Sequence, residues 1–234
     1  MLLPNLRTQV FEANLDLVRK GLVLSTFGNV SGFARDEGLI VIKPSGVPYG
    51  EMKPEDLVVT DVHAKVVEGS LRPSSDLPTH AALYRAFSSI GGVAHTHSEY
   101  ATAWAQARKP IPCFGTTHAD FFHGTIPITE PMGDDDIAGE YEANTGTAII
   151  DALDGMDPAA VPAVLVANHG PFAWGPNAHQ AAENAWMLEA VARSAHLTLG
   201  LNPLAKAISV PLLDRHFFRK HGKNAYYGQA EIKE

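Results

Sequence analysis

Three histidines carry the clearest chemistry in this sequence. His95 and His97 are separated by one residue within an apolar run, residues 92–97 (GVAHTH). Because successive side chains of a strand alternate between faces, this spacing would place both imidazoles on one side, ~6–7 Å apart at the backbone. His169 stands just after a second apolar run, residues 162–167 (PAVLVA). Three imidazoles with a fourth position open are typical of a catalytic zinc site, so the sequence predicts a metal centre.

The residues alone leave alternatives open at this centre. The two neighbouring histidines could be partly exposed strand residues that bind nothing. Asp76 precedes a helical segment, where it could supply an oxygen ligand or simply cap the helix. Cys113 is the single cysteine, so the site has no thiolate cluster, and nitrogen ligands disfavour calcium and magnesium. We expect Zn²⁺, with Mn²⁺ or Co²⁺ as possible substitutes.

Three short segments have the composition of anion-binding turns, in which small residues expose backbone N–H groups beside hydroxyl or amide donors. They are residues 28–31 (GNVS), 43–46 (KPSG) and 73–76 (PSSD). Lys43 adds a cation directly after a strand-like run. Together the segments predict a phosphate pocket, although a segment of this kind taken alone is usually an ordinary turn or cap. None matches a P-loop or a dinucleotide fingerprint.

The elements that must position these residues follow from apolar spacing and from Gly, Pro and capping signals. Strands are predicted over residues 39–43, 57–60, 65–68, 92–97 and 162–167. Helices are predicted over residues 5–20, 81–87, 98–107, 134–153 and 177–199. Tight turns between the early strands favour antiparallel pairing. The pattern therefore predicts an α/β fold with a mainly antiparallel sheet between layers of helices.

Composition narrows the class of protein. The chain has 234 residues and a formal net charge of −8, with no long basic run, which disfavours nucleic-acid partners. No apolar run approaches the ~20 residues of a membrane span, and the N-terminus lacks the order of a signal peptide. A single cysteine favours a reducing compartment, and we expect a cytoplasmic protein. No linker divides the chain, so one domain over residues 1–234 is expected.

Seven motifs, in this order, resemble those of the class II aldolase/adducin family. They are residues 28–31 (GNVS), 43–46 (KPSG), 73–80 (PSSDLPTH), 95–98 (HTHS), 115–120 (GTTHAD), 168–174 (NHGPFAW) and 226–229 (YYGQ). The resemblance runs almost from end to end of the chain. Separate motifs in the same order are far more specific than any one of them.

The resemblance implies a three-layer α/β/α domain, a homotetramer with four-fold symmetry and a defined set of site residues. The implied zinc site is His95, His97 and His169 with Asp76 adjacent, and the implied phosphate pocket is Gly28, Asn29, Ser45, Gly46, Ser74 and Ser75 with Lys43 nearby. The implied acid/base pair is Asp120 and Tyr227, the latter from a neighbouring subunit, with Glu142, His216 and Arg219 as supporting residues. The tail, about residues 222–234, is expected at a subunit interface.

The activity implied by the resemblance is a metal-dependent inversion of C4 in L-ribulose 5-phosphate, giving D-xylulose 5-phosphate by C3–C4 cleavage and re-addition. The main alternative is a sugar-phosphate aldolase of the L-fuculose-phosphate type, which releases the aldehyde. Such relatives usually carry Glu at the position of Asp76, so Asp favours the epimerase. A non-catalytic adducin-like interaction domain is disfavoured because all three histidines are present. Asp120 could instead bind its own loop, and Tyr227 could merely anchor the tail.

Overall fold

The computed structural model describes residues 1–223 and 225–228. The strands are β1 (Asn29–Ala34), β2 (Leu39–Ile42), β3 (Val58–Asp61), β4 (Val66–Glu68), β5 (Gly92–His95), β6 (Ala163–Val166) and β7 (Gly170–Gly175). The α-helices are α1 (Pro4–Arg19), α2 (Leu77–Ala86), α3 (Glu99–Gln106), α4 (Thr116–Ala119), α5 (Asp134–Ala138), α6 (Tyr141–Ala152), α7 (Ala178–Leu201) and α8 (Val210–Phe218). In these described ranges, no helix has both the length and the apolar character that crossing a bilayer requires.

The strands form one sheet in the order β4-β3-β2-β1-β5-β7-β6, and every neighbouring pair is antiparallel. Alternation along the strands sends Val30 and Val41 to one face, where they pack with α1, α3 and α7. Ile40 and Val93 face the opposite side and pack with α2 and α6. All four side chains are fully buried, which contributes about 1.5–3 kcal/mol each. The expected three-layer α/β/α architecture is confirmed.

The predicted strands are all present, but two central strands were missed. β1 begins inside the GNVS motif, which the sequence suggested was a turn, and β7 begins at Gly170. Asn, Ser and Gly have low strand propensity, yet β1 is hydrogen-bonded on both sides, to β2 and β5. Tertiary pairing overrides local propensity at this position.

The single helix predicted over residues 134–153 is wrong, because the structure divides it into α5 and α6. Gly139 (φ −92, ψ −132) and Glu140 (φ −84, ψ 68) leave the helical region between them. Close packing fixes where the second helix lies, since a Cβ on Gly146 would be 2.7 Å from the Cβ of Ala82 in α2. The break makes Tyr141 the first residue of a helix that packs tightly against α2.

Candidate functional site

A cavity of about 380 Å³ opens at the end of the sheet where β5 ends and β7 begins. Its lining includes every residue that the sequence suggested for the metal and the phosphate. These are Gly28, Asn29, Lys43, Ser45, Gly46, Ser74, Ser75, Asp76, His95, His97 and His169. The fold therefore gathers two separately predicted sites into one cavity.

His95 is the best anchored of the three histidines. It is the last residue of β5, and its neighbours across the sheet are Asn29 on β1 and Phe172 on β7. The Phe172 ring stacks on the imidazole at 4.2 Å between centroids. His95 Nδ1 donates to the carbonyl of Pro171 at 3.0 Å, so the lone pair for a metal is on Nε2. That Nε2 lies 3.0 Å from Nε2 of His97.

His97 lies outside the strand on which the sequence pattern placed it. The prediction that both histidines project from one strand is wrong, because β5 ends at His95 and His97 lies in the short segment before α3. Glu189 of α7 fixes the start of α3, where its carboxylate accepts the N–H groups of Tyr100 and Ala101 at 2.8 and 2.9 Å. The imidazoles converge because this anchored segment turns back toward the cavity.

His169 comes from the tight turn between β6 and β7. Asn168 adopts a left-handed conformation (φ 63), which Asn tolerates better than most residues, and the N–H of His169 donates to the carbonyl of Val166. Gly170 then allows β7 to approach the other histidines, because a Cβ there would lie 2.8 Å from the carbonyl oxygen of Thr96. The turn and the glycine together place His169 over the end of β5.

The donor set fits a single divalent ion. The candidate ligand atoms of His95, His97 and His169 all lie within 4.8 Å of one another. Burial is the main cause that lowers the pKa of His169 to about 4 and holds the pKa of His97 below its usual value. Both imidazoles are therefore neutral at pH 7, which is the form that binds metals. Three imidazole nitrogens with no thiolate match the ligand preference of zinc-like ions.

Asp76 precedes α2 but does not cap it through its side chain. Instead, Oδ2 accepts a hydrogen bond of 2.6 Å from Nδ2 of Asn29. Burial by itself would raise the pKa of Asp76, but the charges of His95 and His80 and the Asn29 hydrogen bond hold the pKa below its ordinary value. The carboxylate is thus ionised, and it faces the cavity that the histidines line.

Two of the predicted anion-binding segments are joined by backbone hydrogen bonds. The N–H of Ser45 donates to the carbonyl of Arg72, and the N–H of Ser74 donates to the carbonyl of Lys43, both at 2.9 Å. Asn29 adds the third segment, since its Nδ2 lies 3.1 Å from Oγ of Ser74. The serine hydroxyl groups of the 43–46 and 73–76 segments therefore line the same cavity.

Lys43 is buried beside these segments. Desolvation lowers its pKa to about 8, and its Nζ lies 4.7 Å from the ring centroid of Tyr49. The Tyr49 hydroxyl donates to the carbonyl of Gly28 at 2.7 Å. Tyr49 thus links the cation to the glycine segment, a role that no motif in the sequence indicated.

Asp120 and Tyr227 lie elsewhere in the chain. Asp120 accepts a hydrogen bond of 2.9 Å from Nε of Arg219 and contacts Nδ1 of His216 at 3.1 Å. Although burial opposes it, the hydrogen bonds from Arg219 and His216 keep the pKa of Asp120 low. The Arg219 guanidinium lies 5.0 Å from the Tyr227 ring centroid. The Asp120 side chain therefore binds residues in and just after α8, while its backbone N–H donates to the carbonyl of Thr116.

This second group, which we call the Asp120 cluster (Asp120, His216, Arg219, Lys220 and Tyr227), is at the other end of the sheet. The cavity beside Asp120 is lined by Ile90, just before β5, and by Gly175, the last residue of β7. The histidines lie at the opposite ends of the same strands: Ile90 and His95 are five residues apart, roughly 16 Å at ~3.3 Å per residue. Glu142 lines the histidine cavity, whereas His216 and Arg219 do not. Of the motif at residues 226–229, Gln229 is outside the described residues.

One further residue of the histidine cavity was missed by sequence reasoning. Tyr141 lines the cavity, and its hydroxyl lies 3.4 Å from Nδ1 of His169. The sequence predicted one helix over residues 134–153, in which residue 141 lies in the interior. That prediction gave no indication that Tyr141 would line a cavity.

Comparisons with known proteins agree with this architecture. Residues 8–196 match the family described as Class II Aldolase and Adducin N-terminal domain. The L-ribulose-5-phosphate 4-epimerase UlaF of Salmonella paratyphi B is 55% identical over 227 residues, which cover 97% of this chain and 100% of that protein. The protein of the same name from Salmonella choleraesuis is 54% identical over the same length.

A solved structure of an L-fuculose 1-phosphate aldolase is similar with a TM-score of 0.77 and 27% sequence identity. The similarity covers 91% of this chain and 94% of the aldolase. A family match over most of the chain, full-length relatives above half identity and a shared fold lead to the same assignment. The chain belongs to the class II aldolase and adducin family.

Proposed function

We propose that this protein is a metal-dependent epimerase that inverts C4 of L-ribulose 5-phosphate to give D-xylulose 5-phosphate. The observation that carries the proposal is the 55% identity, along the whole length, to a protein named for this reaction. The histidine cavity supports it, because a three-imidazole site and donors suited to a phosphate line the same 380 Å³. A phosphorylated ketose needs both features.

The stereochemistry of the reaction explains why a metal belongs in the cavity. The hydrogen on C4 of a ketopentose 5-phosphate is not acidic, so simple deprotonation cannot invert this carbon. Cleavage of C3–C4, rotation of the aldehyde and re-addition on its other face avoid that barrier. A divalent ion held by His95, His97 and His169 would supply Lewis-acid stabilisation of the negative charge that cleavage leaves on the C1–C3 fragment. We propose Zn²⁺, which prefers these ligands.

Binding of the phosphate would prevent loss of the aldehyde while it rotates. In the proposed site, Asn29, Ser45, Ser74 and Ser75 donate hydrogen bonds to the phosphate, and Lys43 supplies a positive charge. Gly28 and Gly46 also line this cavity. Because both halves of the substrate stay bound, re-addition is intramolecular in effect and fast relative to release.

Cleavage and re-addition require proton transfer at the C4 oxygen on both faces of the aldehyde. We assign these transfers to Asp120 and Tyr227. Since both belong to the cluster at the far end of the sheet, they would act in the histidine cavity of a neighbouring chain. Closed symmetry satisfies every such site at once, and a homotetramer whose tail, residues 222–234, packs at the interface is the assembly that we propose.

The second candidate function is that of a sugar-phosphate aldolase. It is favoured by one observation, the 0.77 TM-score to an L-fuculose 1-phosphate aldolase. The two functions share cleavage of a carbon–carbon bond and differ in what happens to the aldehyde. An aldolase releases it, whereas the epimerase retains it for re-addition.

A coupled assay separates the two functions. L-ribulose 5-phosphate is incubated with the purified protein, and D-xylulose 5-phosphate and free glycolaldehyde phosphate are both measured, with and without a chelator. We expect D-xylulose 5-phosphate without free aldehyde, and loss of the activity after chelation. Release of the aldehyde in proportion to substrate consumed would support the aldolase instead.

A further inference from the structure

Tyr141 lies beside His169, one of the three histidines proposed to bind the metal. It is the first residue of α6, directly after the break at Gly139 and Glu140. Its side chain is half-buried and lines the histidine cavity. The phenol oxygen lies 3.4 Å from Nδ1 of His169, and the two ring centroids are 6.2 Å apart.

The position of Tyr141 is fixed by the packing of α6 on α2. Oγ1 of Thr79, in α2, donates a 2.6 Å hydrogen bond to the carbonyl of Glu142. One turn later, the hydroxyl of Thr145 donates to the carbonyl of Tyr141 at 2.8 Å, and Gly146 packs directly on α2. The first turn of α6 is therefore attached to the helix that Asp76 precedes. The position of Tyr141 is therefore fixed by contacts between two helices, α6 and α2.

The contact with His169 has a chemical consequence. A histidine that binds a metal through Nε2 carries its proton on Nδ1, and a partner for that proton sets the tautomer and the ring orientation. His95 has such a partner in the carbonyl of Pro171, at 3.0 Å. For His169, the atom that faces Nδ1 is the phenol oxygen of Tyr141, which can accept the Nδ1–H.

We propose that Tyr141 is a positioning residue for the metal site, which orients the His169 imidazole so that Nε2 faces His95 and His97. The inference rests on the proposed function only in that it assumes a metal at the three histidines. It does not depend on which sugar phosphate is the substrate. Because α5 and α6 are separated by a break, α6 begins at Tyr141, and the Tyr141 hydroxyl lies at the cavity.

The test compares cobalt(II) binding by the wild-type protein, Tyr141→Phe and a matched control, Tyr100→Phe. Tyr100 is also a half-buried tyrosine, but it lies on α3 beside His196, outside the histidine cavity. Metal-free proteins are titrated with cobalt(II) alone, and the visible absorption of the bound ion reports the geometry of its ligands. Release to a chelator gives the dissociation rate.

We expect Tyr141→Phe to bind cobalt(II) about 10- to 100-fold more weakly, the usual effect of losing a partner behind a metal ligand, and to change the visible spectrum. Tyr100→Phe should match the wild type. Thermal unfolding of the metal-free proteins should be the same for all three, which separates positioning from a general loss of stability. Wild-type affinity and spectrum in Tyr141→Phe, or equal weakening in both variants, would overturn the proposal.

The outcome is independent of the epimerase assay. If the wild-type protein failed to convert L-ribulose 5-phosphate, the proposed function would fail while the cobalt comparison still stood. If conversion occurred but Tyr141→Phe bound cobalt normally, the positioning role alone would fail. Where conversion is present, Tyr141→Phe should lower kcat more than it raises KM, because phosphate binding does not involve this hydroxyl.

Discussion

The two ends of the sheet are organised differently. At the histidine end, the ligands are held by the backbone framework, through the last residue of β5, a tight turn and the carbonyl of Pro171. At the other end, the Asp120 cluster is held by contacts between the carboxylate and the charged side chains of Arg219 and Lys220, which directly follow α8. Tyr227 in this cluster remains 63% exposed. One end holds the three histidines in a cavity, and the other combines a largely buried carboxylate with an exposed phenol.

This difference indicates which residues each of two neighbouring chains would supply to a shared site. The histidine cavity holds, within one chain, all the residues that we propose for the metal and the phosphate. The ionised carboxylate and the exposed tyrosine lie away from the histidine cavity of their own chain, because the histidines are at the far ends of the strands. The two ends can therefore be changed separately, by substitutions in the histidine cavity or in the Asp120 cluster.

Removing one ligand should cause the largest effect. His97→Ala is expected to lose bound metal and to lower activity at least about 10³-fold, because Lewis-acid stabilisation contributes several kcal/mol and each 1.36 kcal/mol is tenfold. Metal content per chain and turnover are the measurements. His63→Ala, an exposed histidine near β4, serves as the control. Retention of metal and activity by His97→Ala would remove this residue from the site.

Changing the other end should slow turnover without loss of metal. Asp120→Asn and Tyr227→Phe are each expected to cost ~10²–10⁴-fold, the usual contribution of one acid/base group. Metal content should stay at the wild-type level, and Tyr226→Phe, at an exposed neighbour, should remain active.

Mixing the two classes of variant tests whether the ends meet across an interface. Chains with His97→Ala keep an intact Asp120 cluster, and chains with Asp120→Asn keep an intact cavity. After unfolding and refolding together in equal amounts, random assembly should restore about one quarter of the sites, since each site would draw on two chains. Activity no greater than the sum of the separate variants would show that the two ends do not share a site.

A smaller effect is expected from the phosphate donors. Ser75→Ala should raise KM about 10- to 100-fold with little change in kcat, because a hydrogen bond to a charged group contributes about 1.5–3 kcal/mol to ground and transition states alike. Ser70→Ala, at an exposed serine after β4, is the matched control. An unchanged KM in Ser75→Ala would exclude this hydroxyl from the pocket.

The smallest expected effect is a pH dependence from Lys43. Its pKa is lowered to about 8, so it is charged below pH 8 and loses its proton as the pH rises. At pH 9 only about a tenth of the side chain is charged, and inhibition by inorganic phosphate should weaken accordingly, by up to about tenfold. Inhibition constants measured from pH 7 to 9.5 give the profile. Lys43→Met should bind phosphate weakly at every pH, and an identical slope in that variant would assign the titration elsewhere.

Much of this arrangement could be predicted from sequence because it depends on local patterns. The apolar runs before His95 and His169 indicated strands, and the Ser, Gly and Lys turns indicated an anion pocket. The position of His97 and the existence of β1 could not be predicted from neighbouring residues, since both depend on contacts with distant segments of the chain. The same holds for Tyr141, which faces the cavity only because a break near Gly139 restarts the helix there.

The order of the central strands bears on how the protein folds. β1 pairs with β5, and β5 with β7, so the two strands that flank His95 are separated from it by long stretches of chain. Pairings between distant segments form slowly because each must first close a large loop. The three imidazoles approach one another only after β7 has docked on β5. Metal capture should therefore be a late step of folding, and the appearance of bound cobalt during refolding would time completion of the sheet's centre.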